Sequence, residues 1–285
     1  MTAAGAAGLE GPATARATCV LAPNPSPMTL EGTNTWVLAE PGSGAAIVVD
    51  PGPADEGHLR RVTGQVAATD RRVALILLTH GHRDHSGGAR MLAEMTGAPV
   101  RAADPAHRLG AEGLAQGDVI GVAGCEIRVI GTPGHSADSV SFLLPADGAL
   151  LTGDTVLGRG TTVIAPDGGD LGDYMRTLAD LRQMADHVPG GDAAAPGTPV
   201  KQLLPGHGPV LTDPAGTLDF YIAHRRERLA EVEAALAAGD RTTAEIVDRV
   251  YTDVDAAVLK FAEFSVRAQL EYLKARGGLP PDVVL

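Results

Sequence analysis

Four potential metal ligands, His80, His82, Asp84 and His85, fall within six positions of the stretch Thr79-His80-Gly81-His82-Arg83-Asp84-His85-Ser86-Gly87-Gly88. They follow the run Val73-Ala74-Leu75-Ile76-Leu77-Leu78, apolar on both alternating faces and therefore expected as a central strand covered on both sides. Neutral imidazoles and a carboxylate are the donors that borderline zinc prefers, and a short loop at a strand end can turn several of them inward. A loop of merely solvated histidines has no need of such a density.

Three further candidates each sit in a tight turn after a β-like run. His135 lies in Gly131-Thr132-Pro133-Gly134-His135-Ser136, Asp154 in Leu151-Thr152-Gly153-Asp154-Thr155, and His207 in Leu204-Pro205-Gly206-His207-Gly208. Alone, each has an ordinary explanation, since Gly-Asp pairs mark turns and loop histidines are usually solvated. With the first cluster they form a set of seven. Asp50, in Val48-Val49-Asp50-Pro51-Gly52, ends another strand and could fix a ligand imidazole's tautomer by accepting a hydrogen bond from it, although an Asp before Pro also initiates turns. His58, His107 and His187 have no metal spacing and read as surface residues.

Short β-rich runs bounded by Gly, Pro and Asp alternate with helical stretches from Thr18 to about Asp213, the pattern of a layered α/β domain. Expected strands are Thr35–Leu38, Ala46–Val49, Val73–Leu78, Glu126–Ile130, Val140–Leu144 and Ala149–Leu151. Expected helices are Asp55–Ala67, Gly88–Met95 and Leu171–His187, from apolar residues spaced by three and four. Val188 to Pro199 reads as a loop. Residues 1–17 read as a flexible tail, 18–213 as the catalytic domain and 214–285 as a small helical domain with helices near Ala215–Ala238, Thr243–Tyr251 and Ala256–Arg276. Thr242 and Glu245 have the spacing of a capping box. Val258, Phe261, Ala262, Val266, Leu270 and Leu273 form an apolar stripe expected to pack as core.

Composition narrows the function. Lys plus Arg number 23 against 35 Asp plus Glu, and a net charge of -12 repels polyanions unless basic groups are gathered in one place. The two cysteines, Cys19 and Cys125, make no disulfide framework and suit a reducing cytoplasm. No stretch approaches the roughly 18 apolar residues of a membrane-spanning helix, so no membrane partner is expected.

The seven residues and their order resemble the metallo-β-lactamase superfamily. That resemblance implies a four-layered αββα sandwich with two metal ions at one edge of the sheets. His80, His82 and His135 would hold one ion, Asp84, His85 and His207 the other, and Asp154 would bridge them. The implied ions are two Zn2+, with iron or manganese as alternatives, and the implied nucleophile is a hydroxide shared by the metals and oriented by Asp84 and Asp154. An oxygen ligand at 154 is similar to glyoxalase II rather than to the lactamases with a Cys ligand there, and His82 stands where the flavodiiron branch has Glu. Gly32-Thr33-Asn34-Thr35-Trp36, Gly158-Arg159-Gly160-Thr161-Thr162 and the tail from His224-Arg225-Arg226 resemble the beta-lactamase-like protein 2 family, which appends a winged-helix-like domain and includes both a single-strand endoribonuclease and polyketide thioesterases. By comparison with family loops, Arg159 and Tyr174 are expected to face the substrate.

The leading expectation is hydrolysis of an ester, thioester or related small-molecule acyl substrate. The rival is cleavage of single-stranded RNA. Lys260, Arg267 and Lys274 recur every seven residues and could track a backbone, but Glu263 and Glu271 interrupt them, as Glu227 interrupts the cluster at His224 to Arg228. A third expectation makes the C-terminal domain a nucleic-acid-binding or partner-binding module with the metal domain as a sensor. Only Gly277 to Leu285 remain after Arg276 to build a wing, so the tail is expected instead to close over the cleft or to mediate a homodimer.

Overall fold

The computed structural model describes residues 9–110, 112–166, 168–186, 199–252 and 259–284. His187 and most of the loop expected at Val188–Pro199 lie outside them, as do Val258 and the start of the helix expected at Ala256. A six-stranded sheet runs in order β1 (Gly11–Pro12), β2 (Ala17–Leu21), β3 (Asn34–Leu38), β4 (Ala45–Val49), β5 (Arg72–Leu77) and β6 (Val100–Arg101). A five-stranded sheet pairs β7 (Val119–Val122), β8 (Cys125–Gly131), β9 (Val140–Leu144), β10 (Ala149–Gly153) and β11 (Gln202–Pro205), with β11 at one edge and β7 at the other.

Alternation along the strands separates two cores. In β4, Ile47 and Val49 join Trp36, Leu38, Leu75, Leu77, Ile127, Phe142, Leu151 and Leu204 between the sheets. Ala46 and Val48 point the other way, with Val73, Ile76 and Leu78, onto helices α1 (Glu56–Ala67) and α3 (Ala89–Thr96) through Leu59, Val62, Val66 and Leu92. The apolar run before His80 is therefore buried on both faces, as expected for a central strand. β4 and β5 are parallel, as are β10 and β11, so each pair releases its chain at one sheet edge. Val49 aligns with Leu77, which sets Asp50 beside the start of the His80 loop. Gly153 aligns with Pro205, which sets Asp154 beside Gly206-His207.

Residues 9–17 depart from the tail expectation. Gly11 and Pro12 pair with Cys19 and Thr18, and Arg16 binds Glu40 and Asp147 at 2.5 Å each. These charge-assisted bonds at both faces of one guanidinium hold the segment to the sheet.

Packing divides the described residues into two compact units, one within 1–132, 138–160 and 184–214, the other within 133–137, 161–183 and 215–285. The second unit holds most of α4 (Leu171–Asp186), nearly all of α5 (Pro214–Ala237), and α6 (Thr243–Val250) and α7 (Leu259–Ala275). It therefore takes in residues 161–183, which chain order had assigned to the 18–213 region. Its core joins Val232, Leu236, Ile246, Val247, Ala262, Val266, Leu270 and Leu273. The capping box at Thr242 and Glu245 is present in both directions, and Thr242 bridges Val284 in parallel as a minimal wing. Glu263, Arg267, Glu271 and Lys274 are all exposed on α7, a mixed solvated face. No helix of the described residues is long and apolar enough to cross a membrane.

Candidate metal centre

Asp84 and His85 ride on α2 (Arg83–Ser86), a single turn that follows the β5 exit. His85 Nε2 lies 3.5 Å from Asp84 Oδ2, 3.3 Å from Asp154 Oδ1 and 3.2 Å from His207 Nε2. His207 Nε2 lies 3.2 Å from Asp84 Oδ2 and 3.3 Å from Asp154 Oδ2. The ligand atoms of these four residues fall within 4.8 Å of one another, and so do those of His80, His82 and His135. His80 Nε2 is 3.0 Å from His82 Nδ1.

The partners on the far side of each ring fix the tautomers. His85 Nδ1 is 2.9 Å from Asp50 Oδ2 and His207 Nδ1 is 3.1 Å from the Gly32 carbonyl. Both acceptors can only accept, so Nδ1 carries a proton on both rings, and in the neutral form each turns an Nε2 lone pair toward the carboxylates. Two lone pairs 3.2 Å apart beside two carboxylates repel unless a positive charge lies among them. His135 Nδ1 donates in the same way to the Val163 carbonyl at 3.0 Å. Thr79 Oγ1 gives its hydrogen to Asp50 Oδ2 at 2.6 Å, so it accepts from His80 Nδ1 at 3.0 Å. Asp50 thus contacts His85 directly and His80 through Thr79.

Titration follows the same electrostatics. Burial works against a charged His207, yet Asp154 and Asp84 outweigh it and push its pKa up to about 9. Burial also opposes charge on His85, which Asp154 and Asp50 still raise well above its ordinary value. The same burial disfavours an ionised Asp154, but the imidazoles of His207 and His85 hold it well below the usual carboxylate range, and Asp84 is lowered likewise against burial, chiefly by His207. The site draws in positive charge, and neutral imidazoles with carboxylates are a donor set that fits a divalent transition metal.

Backbone geometry makes the close approach feasible. Asp50 adopts φ +50, uncommon for a residue with a side chain, and thereby folds its carboxylate back to accept from the Thr79 N–H at 2.8 Å. A Cβ at Gly206 would stand 2.6 Å from Asp154 Oδ1 and 2.7 Å from His85 Cε1, so only glycine lets the His207 turn pass there.

The structure brings all seven expected ligands into the two groups and adds residues whose part went unread. Thr79 relays Asp50 to His80. Asn34 Nδ2 donates to the carbonyls of Pro205 at 3.0 Å and Gly208 at 2.8 Å, and Trp36 Nε1 to Pro205 at 3.1 Å, pinning the His207 turn. A polar Asn in an otherwise apolar strand was the available signal. Three expectations change or narrow. Tyr174 is fully buried, with the Arg225 guanidinium 5.1 Å above its ring, and presents no face to solvent. His58 is buried rather than on the surface, 2.9 Å from Thr35 Oγ1, because an apolar face of α1 carries it against the sheet. Arg159 is half exposed but engages Glu31 at 2.5 Å.

Comparisons with known proteins agree with the geometry. Residues 28–188 match the family model described as metallo-beta-lactamase superfamily, and residues 242–278 match the beta-lactamase associated winged helix domain. A beta-lactamase-like protein 2 homolog of Caenorhabditis elegans is 32% identical over 266 residues, covering 90% of this chain and 83% of the relative. An atrochrysone carboxyl ACP thioesterase of Aspergillus fumigatus is 31% identical over 259 residues, covering 84% and 74%. The fold is shared with a beta-lactamase domain protein from Burkholderia ambifaria, at a TM-score of 0.75 and 22% identity over 93% of this chain and 88% of that one. With its two sheets, its clustered His and Asp donors and its C-terminal winged helix domain, the chain belongs to the metallo-beta-lactamase superfamily of hydrolases.

Proposed function

We propose that the protein hydrolyses an ester, thioester or related acyl bond in a small-molecule substrate, with two divalent metal ions, zinc foremost. The observation that carries this reading is the pair of donor groups, His80 with His82 and His135, and Asp84 with His85, Asp154 and His207. Asp154 would be shared between the ions. When bound, such a pair lowers the pKa of a coordinated water toward neutrality and polarises a carbonyl oxygen.

The chain's own residues supply the rest. Asp50, Thr79 and Gly32 hold the imidazoles so that, once the Nε2 proton is shed, each ring offers its lone pair inward without turning. Burial is graded across the site. The side chains of His85 and His207 are 0% exposed, Asp154 12% and Asp84 29%, and His82 is exposed. Substrate would therefore approach from the more exposed Asp84 and His82 side.

The acyl preference draws support from the oxygen donor at 154, as in glyoxalase II, from the thioesterase among the relatives and from the acidic composition. Among the described residues of α7, Glu263 and Glu271 alternate with Arg267 and Lys274 on the exposed surface, which weighs against RNA as substrate. Two unpaired buried thiols suit a reducing cytoplasm. Zinc-loaded protein assayed against acyl thioesters, lactones and single-stranded RNA is expected to turn over an acyl substrate, with His80→Ala inactive. RNA cleavage without acyl turnover would sink the acyl reading and leave the metal reading standing.

A further inference from the structure

We propose that Arg225 is a positioning residue for the metal centre, fixing the tautomer and placement of His135 from within α5. The inference rests on the reading of His135 as a ligand.

Arg225 is only 6% exposed although it lies on a helix with many solvated charges. Burying a guanidinium is costly unless its charge and donors are used, and its Nε is buried with no hydrogen-bond partner among the described residues. Core packing alone would be served better by Leu or Met. Its NH2 group donates to the Thr162 carbonyl, and its plane lies 5.1 Å above the Tyr174 ring. One residue earlier, His224 Nε2 lies 3.3 Å from Thr161 Oγ1. α5 therefore grips the segment 161–162 at consecutive residues.

That segment leads straight to the site. The carbonyl next after Thr162 belongs to Val163, and it accepts from His135 Nδ1 at 3.0 Å. The stack beneath Arg225 meets the same loop from the other side. Gly134, at φ +133, lies so close to Tyr174 that a Cβ there would stand 2.3 Å from Tyr174 Cα. Asp170 N–H donates to the Gly134 carbonyl at 2.9 Å, and Thr177 Oγ1 to the Pro133 carbonyl at 2.7 Å. The His135 loop thus has two supports, the segment 161–163 and the start of α4, and Arg225 touches both. If Arg225 is removed, the 162–163 peptide loses the donor that anchors its carbonyl, and the adjoining 163–164 peptide, whose carbonyl accepts from His135 Nδ1, loses the support that keeps it in place.

The test is metal binding by the full chain, stripped and then titrated with Zn2+ against a competing chelator, with folding followed by circular dichroism. Wild type is expected to take up two ions. Arg225→Met is expected to weaken one of them about tenfold, the lower end of the range for lost support of a ligand imidazole, and to leave the other unchanged. Arg225→Lys keeps a charge and a donor without the planar stack and serves if Met fails to fold. It is expected to weaken the same ion by a smaller factor. In a His135→Ala background, Arg225→Met is expected to cost nothing further, because its effect runs through His135. Val266→Ala, which loosens the core of the same helical unit without touching Thr162, is expected to leave both constants alone. Folded Arg225 variants that bind both ions as wild type does, an undiminished loss in the His135→Ala background, or an equal loss in Val266→Ala would each overturn the proposal. Wild type that takes up only one ion or none would instead overturn the two-metal reading, and the inference with it.

Discussion

His58 makes the stability of this protein depend on pH, by an amount that the structure fixes. Thr35 Oγ1 gives its only hydrogen to the Asp50 carbonyl at 2.8 Å, so His58 Nε2–H must be the donor to Thr35 at 2.9 Å. His58 Nδ1 is buried with no hydrogen-bond partner among the described residues. Protonation would place an unsatisfied N–H there. Burial, helped by Arg61, lowers the pKa from 6.5 to about 4. The sign follows from proton counting. Below 6.5 the unfolded chain binds a proton that the folded chain refuses, so stability is complete above that value and falls as the medium is acidified toward 4, after which both states are protonated. Traversed in full, the interval is worth about 3 kcal/mol, most of it already lost at about pH 4.5. Urea unfolding of wild type and His58→Gln at about pH 7.5 and 4.5 measures it, since the amide keeps a donor near Thr35 but does not titrate. The stability difference between the two proteins is expected to shift by about 2 to 3 kcal/mol in favour of the variant on acidification, other titrations cancelling in the comparison. A difference that stays constant to within about 0.5 kcal/mol would refute the buried-neutral assignment.

Other consequences concern the metal centre. Asp50→Asn is expected to weaken metal binding about 10- to 100-fold by loosening His85 and the Thr79 relay to His80, as read by chelator competition; unchanged affinity would deny Asp50 its orienting part. Gly206→Ala drives a methyl against Asp154 and His85, and a purified, folded variant is expected to hold markedly less metal by elemental analysis. Metal uptake is expected to weaken steadily as pH falls below about 9, because His207, raised to that value in the metal-free protein, must shed its proton to bind; calorimetric titration should show proton release, and a pH-independent constant would contradict it. Asn34→Ala leaves the buried Gly208 carbonyl without this donor and the Pro205 carbonyl with Trp36 Nε1 alone, and is expected to cost about 2 kcal/mol in chemical denaturation, with reduced metal affinity.

The two donor groups were legible because their residues are concentrated in short motifs. The run before His80 specified a buried strand, the Gly-Asp and Gly-His turns specified strand ends, and Thr242 with Glu245 specified the start of α6. These are local signals of periodicity and turn chemistry, and they survive in one dimension. Residues whose role depends on what lies across the fold left no such trace. Tyr174 read as substrate-facing and lies buried beneath Arg225; His58 read as surface and lies buried on α1. Residues 9–17 read as a tail, yet Arg16 ties them to Glu40 and to Asp147, more than a hundred positions away. The amino-acid sequence by itself therefore determined which His and Asp side chains are candidate donors and in what order the chain presents them. The tertiary structure alone decided which backbone carbonyls and carboxylates stand behind each ring, because a tautomer depends on a partner within hydrogen-bond reach, and parallel strand pairing brings those partners together irrespective of their separation along the chain.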